Sequence, residues 1–245
     1  MNSARGIVTT VVVLGLLAAS GTAVLGLPAA KVSSRRTYSV IQGDRCIPIH
    51  PLGDGSQTVS SFYDYRISYQ NRAAYSSIGT TNLQRSQVSQ FFLYRGSQGT
   101  SLVFLHDAFR DGTGGGTVTV DIAGLPTGNE WPVEDDSYHN RDDVFRHGAT
   151  TTHIEHVWIK GRTDGSAVRG LGKDFDAITV RMRFNENSVR WGDTSDNFDH
   201  TFTSADKITR WIVRDGDGGT ERLDMGQSVT IEHGGCGTPT PTPTP

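Results

Sequence analysis

From Val59 onward the chain consists of short apolar or alternating runs separated by turn residues. Thr117–Ile122 alternates cleanly: Val118, Val120 and Ile122 fall on one side, and Thr117, Thr119 and Asp121 on the other. Ile178–Phe184 repeats the pattern, setting Ile178, Val180, Met182 and Phe184 against Thr179, Arg181 and Arg183. A period of two marks a strand with one buried face. Leu102–Leu105 is apolar at every position, which predicts a strand covered on both faces. Phe62, Tyr63, Tyr65, Ile67 and Tyr69 predict an aromatic strand, and Val88–Tyr94, Ile208–Val213, Arg222–Met225 and Val229–Ile231 add four more. No stretch past the N-terminal segment sustains a period of 3.6. Asp111-Gly112, Asp164-Gly165 and Asp215-Gly216 supply corners where φ can turn positive.

Many short strands, Gly-rich turns and no helical pattern predict an all-β fold, an antiparallel β-sandwich of jelly-roll or immunoglobulin-like type, with a β-barrel as runner-up. No fixed repeat is visible, which argues against a propeller or solenoid. The 29 glycines among 245 residues agree with frequent turns.

The N-terminus has its own logic. Arg5 precedes the uncharged apolar run Ile7–Ala19, and small residues follow it, with Gly21-Thr22-Ala23 a cleavage candidate. This order reads as a secretory signal within residues 1–30. The alternative is an uncleaved membrane anchor, because apolar character continues to Leu27. Residues 31–45 read as an exposed lead-in, residues 46–236 as a single β-sandwich domain, and residues 237–245 as a Thr/Pro-rich stalk. Alternating proline forbids both helix and sheet, so the stalk is extended. The chain has two cysteines, Cys46 and Cys236, near opposite ends of that domain. In an oxidising compartment such a pair is expected to bridge. The reading is therefore extracellular or cell-surface, with membrane contact only through the signal or anchor.

Net charge is −3, which excludes a basic nucleic-acid-binding surface as an organising feature. Of 23 basic residues 19 are Arg, and of 26 acidic residues 20 are Asp. That usage fits a high-GC or salt-adapted source.

Candidate chemistry concentrates in Trp131–Leu171. Asp135, Asp136, Asp142 and Asp143 form two carboxylate pairs beside Glu134, and a loop can converge them on Ca²⁺, a hard cation suited to oxygen ligands. The plainer reading is a solvated acidic loop, since the DxDxDG spacing of a calcium-binding loop is missing. At Asp215, Asp217 and Glu221 a hairpin turn accounts for every residue, and no ion is expected. His153 and Glu155 share one strand face and His156 takes the other, so the three cannot form one metal site. Neither HExxH nor GxSxG occurs, and no catalytic residue is assigned. Trp131, Tyr138 and Trp158 lie near the acidic pairs as candidate ligand-stacking residues, although large aromatics in a β protein more often fill its core. Trp131, preceding Pro132 beside polar Asn129-Glu130, is the one of these to test for exposure.

Gly116–Val120, Gly124-Leu125-Pro126, Trp131–Asp136, Val157-Trp158, Thr163-Asp164-Gly165 and Arg169-Gly170-Leu171 form an arrangement that resembles secreted or surface proteins of halophilic archaea. The resemblance covers about Phe62 to Ile231. It implies a β-sandwich carried on a Thr/Pro-rich stalk and supplies no activity. This chain departs from the group in its mild acidity and in lacking an anchoring segment after the stalk.

Taken together, the residues favour a secreted or cell-surface non-enzymatic module for binding or display, with a cell-surface glycan or protein as partner. One alternative is a Ca²⁺-dependent carbohydrate-binding module. Another is a secreted hydrolase using carboxylates within residues 134–156.

Overall fold

The structure, a computed structural model, describes residues 36–66, 75–136, 142–172, 175–186 and 207–237. The predicted signal segment, Ile67, Tyr69, Tyr138 and residues 238–245 of the predicted stalk lie outside the described residues. In chain order the strands are β1 (Tyr38–Gln42), β2 (Arg45–Ile49), β3 (Tyr65–Arg66), β4 (Ser76–Ser77), β5 (Val88–Gly96), β6 (Gly99–His106), β7 (Gly116–Ala123), β8 (Glu130–Glu134), β9 (Val144–His147), β10 (Thr151–Trp158), β11 (Asp164–Arg169), β12 (Ala177–Phe184), β13 (Arg210–Arg214), β14 (Thr220–Leu223) and β15 (Val229–His233). One short helix, α1 (Val59–Tyr63), precedes β3.

The alternating runs assemble into two sheets. One has seven strands in the order β2-β1-β15-β12-β7-β10-β9, and the other six in the order β14-β13-β5-β6-β11-β8. Pairing is antiparallel except between β13 and β5, which run parallel. The sheets pack face to face as a β-sandwich, and neither closes into a barrel. Val118, Val120, Ile154, Ile178, Val180, Val229 and Ile231 from the first sheet meet Phe91, Leu93, Leu102, Phe104, Val168, Trp211 and Val213 from the second. These are the inward positions of each period-two run.

A second apolar layer lies on the other face of the six-stranded sheet. Phe92, Tyr94, Val103, Leu105, Val133 and Ala167 pack there under Val59 and Tyr63 of α1, with Leu52, Phe62, Tyr65 and Leu83 around them. This is why Leu102–Leu105 lacks polar alternation: all four side chains have no exposed surface.

Three sequence expectations are corrected. Of the aromatic strand predicted from Phe62, only Tyr65 lies in a strand, in β3, which pairs with β4 as a separate two-stranded sheet, whereas Phe62 and Tyr63 end α1. Thr58 caps that helix by accepting from Ser61 N, Asp64 closes it with φ +50°, and Val59 and Tyr63, four apart, bury one face. The lead-in predicted to be exposed contains β1. Tyr38 and Val40 are fully buried, and β1 lies between β2 and β15, so the sandwich begins before Cys46. Asp164-Gly165 is no turn, because it opens β11 between β6 and β8.

Cys46 and Cys236 are bridged, with their Cα atoms 5.7 Å apart across 190 residues of sequence. The bridge ties β2, an edge strand, to the segment just past β15.

Candidate functional site

β8 and β9 are edge strands of different sheets, so the chain between them passes from one layer to the other. That crossing carries Asp135 and Asp136 at its start, and Asp142 and Asp143 at its end. Asp136 takes φ +56°, a left-handed conformation that Asp tolerates better than most residues. The next strand in each sheet completes the site. β10 contributes His156, which shares parity with Ile154 and Trp158 and therefore points between the sheets. β11 contributes Asp164 and Ser166 from the opposite layer, with the parity of core residue Val168.

The side chains converge. His156 Nδ1 lies 3.2 Å from Asp143 Oδ2 and 3.0 Å from Asp164 Oδ1, and its Nε2 lies 3.2 Å from Ser166 Oγ. Val157 N donates to Asp143 Oδ1 at 2.8 Å. Tyr63 Oη donates to Asp135 Oδ2 at 2.7 Å, and Tyr65 Oη to Asp136 Oδ1 at 2.5 Å. Asp135, Asp143, His156 and Asp164 are each at most 2% exposed, and Asp136 is 7% exposed. Two overlapping ligand sets result: Asp143, His156 and Asp164, and Asp136, Asp142 and Asp143. Within each set the ligand atoms lie within 4.8 Å of one another. Asp164 Oδ2 is buried with no hydrogen-bond partner.

The electrostatics are unfavourable without a counter-charge. Burial pushes the carboxyls of Asp135, Asp136 and Asp143 well above the ordinary range, and neighbouring carboxylates push them further. Asp164 acts on all three, and Asp142 acts on Asp136 and Asp143. Burial and the adjacent Asp135 raise the Tyr63 phenol, which therefore stays a neutral donor. Among the described residues, Asp143 and Asp164 form ion pairs only with His156, and no Lys or Arg pairs with Asp135 or Asp136. Buried like charges are relieved either by protons or by a cation.

Ser166, His156 and Asp164 also stand in the hydrogen-bonding order of a nucleophile relay. Ser166 has no exposed surface, so a substrate cannot reach its hydroxyl in this conformation.

Of the four predicted acidic residues the structure brings Asp136, Asp142 and Asp143 within ligand range of one another. Asp135 belongs to neither set, because its Oδ2 accepts from Tyr63 Oη and its Oδ1 from Asp136 N. The plainer reading is corrected, since a solvated loop would not bury Asp135, Asp136 and Asp143. The structure also corrects the stacking residues. Trp158 belongs to the core and donates from Nε1 to Asp107 Oδ2 at 3.0 Å, leaving no face for a ligand. Trp131 is half-buried, with its Nε1 enclosed and its ring stacked on His147 at 4.6 Å between centroids. Its apolar body packs on the core, which overrides the polar neighbours that suggested exposure. Tyr138 lies outside the described residues.

His153 points away from His156, as the strand period required, and pairs with Asp121 at 2.6 Å and Glu155 at 3.2 Å. The turn after β13 is the expected hairpin to β14. It also brings Asp215 and Asp217 to 3.3 and 3.1 Å from His50 Nδ1, a surface grouping that sequence reading missed. Asp164 and Ser166 were missed as site residues for a specific reason. Asp-Gly reads locally as a turn, and only the pairing of β11 with β6 and β8 shows the strand.

Comparison of the chain with protein-family models, curated proteins and solved structures returned no match.

Proposed function

We propose that this chain is an extracellular, non-enzymatic β-sandwich module in which a divalent cation joins the two sheets at their β8 and β9 edges and supports recognition of a cell-surface glycan or protein. One observation carries the reading: Asp136, Asp143 and Asp164 are packed together between the sheets with His156, and among the described residues no Lys or Arg forms an ion pair with these three carboxylates. An ion there offsets the repulsion that otherwise keeps protons on Asp135, Asp136 and Asp143. Ca²⁺ suits the oxygen-only set of Asp136, Asp142 and Asp143, and extracellular calcium sites are commonly tuned to about 10⁻⁴–10⁻³ M.

The bridged cysteines support an oxidising compartment. Burial of Asp135, Asp143, His156 and Asp164 favours a structural part over a hydrolytic one, because a general acid or base must reach its substrate.

The reading is tested by retention of the purified chain on immobilised polysaccharides and on cell envelopes, in Ca²⁺ and in chelator. Retention that needs Ca²⁺ and weakens in Asp142→Asn, with the fold intact by circular dichroism, supports it. Retention indifferent to Ca²⁺, or breakdown of a polysaccharide that Asp142→Asn abolishes, overturns it.

A further inference from the structure

We infer that the cluster has two cation positions: an all-oxygen position on Asp136, Asp142 and Asp143, and a nitrogen-bearing position on Asp143, His156 and Asp164 that takes a transition metal of the Zn²⁺ type. The inference deepens the cation-joined reading above and rests on it.

The two ligand sets differ in chemistry and share only Asp143. The first offers oxygen alone, which suits a hard ion. The second adds an imidazole, a ligand that Ca²⁺ seldom takes and that Zn²⁺ prefers. Distances fit the second position: His156 Nδ1 stands 3.2 and 3.0 Å from the carboxylate oxygens of Asp143 and Asp164. Ligands bonded at about 2.0–2.2 Å around a four- to six-coordinate ion are roughly 3.0–3.5 Å apart.

The far side of the ring is also prepared. Ser166 Oγ lies 3.2 Å from His156 Nε2 and can accept the Nε2 proton, leaving Nδ1 free to bind metal. Asp164 supplies the independent sign of a ligand. Its Oδ1 is engaged by His156 and by Gly165 N, whereas its Oδ2 is buried and unpartnered, although the side chain is only 1% exposed. A carboxylate oxygen sealed from water without a donor is costly unless something electropositive meets it.

The test uses the full chain stripped with chelator and titrated with Ca²⁺, then with Zn²⁺, while bound metal is counted after gel filtration. The expected result is one Ca²⁺ and one Zn²⁺ per chain. His156→Gln should lose the Zn²⁺ and keep the Ca²⁺, and Asp142→Asn should lose the Ca²⁺ at least tenfold more readily than the Zn²⁺. X-ray absorption at the zinc edge of the wild-type chain gives a reading that needs no variant, and should show one imidazole among oxygen ligands. One ion in total, or zinc without imidazole, overturns the second position and leaves the single-cation reading standing. No bound metal of either kind overturns both.

Discussion

Tyr63 and Asp135 meet in a fully buried hydrogen bond of 2.7 Å that joins α1 to the end of β8. The phenol enters from the layer covering the outer face of the six-stranded sheet, and the carboxylate belongs to the acidic crossing. One contact thus links the helix that the sequence concealed to the site that it partly revealed.

Removing that donor isolates its contribution. Tyr63→Phe should lower unfolding stability by roughly 1–3 kcal/mol, the usual cost of leaving a buried acceptor unpaired. Urea denaturation in chelator measures it.

The cation-free protein should lose stability as pH rises. The carboxyls of Asp135, Asp136 and Asp143 have folded values well above the ordinary 3.8 of a free aspartate. Above the unfolded value the denatured chain releases protons that the folded chain retains, so stability is greatest in acid and falls toward neutrality. Saturating Ca²⁺ should reverse the trend, adding about 2.7 kcal/mol at a hundredfold excess over Kd. Melting temperatures between pH 4 and pH 8, with and without chelator, check both signs.

Asp107 should add a slope of the same sign that calcium does not remove. Burial pushes its carboxyl up to about 7 against donors at Gln87 N, Ala108 N and Trp158 Nε1. Its share of stability is complete below 3.8, declines as pH rises, and is lost by about 7. Asp107→Asn should therefore flatten the pH profile over that window in both calcium and chelator.

The Cys46–Cys236 bridge closes a long loop, so its loss should cost up to about 5 kcal/mol in the chain-entropy account. The double variant Cys46→Ser, Cys236→Ser, unfolded in urea beside the wild type, measures the effect. A change below 1 kcal/mol would show that the β1–β15 pairing holds the terminal strands without the bridge.

The β-sandwich was legible from the residues alone, because side-chain alternation in runs such as Thr117–Ile122 and Ile178–Phe184 is a local property. Equally legible were the two-sided burial of Leu102–Leu105 and the opposite directions of His153 and His156. The tertiary structure decided what lies beside what. Asp136, Asp142, Asp143, His156 and Asp164 come together only because β8 and β9 edge different sheets and β10 and β11 lie next to them. Strand order and register depend on packing over the whole chain, which no local period records. For the same reason Trp158 became core, and acidic residues that read as solvent-facing were enclosed between two sheets.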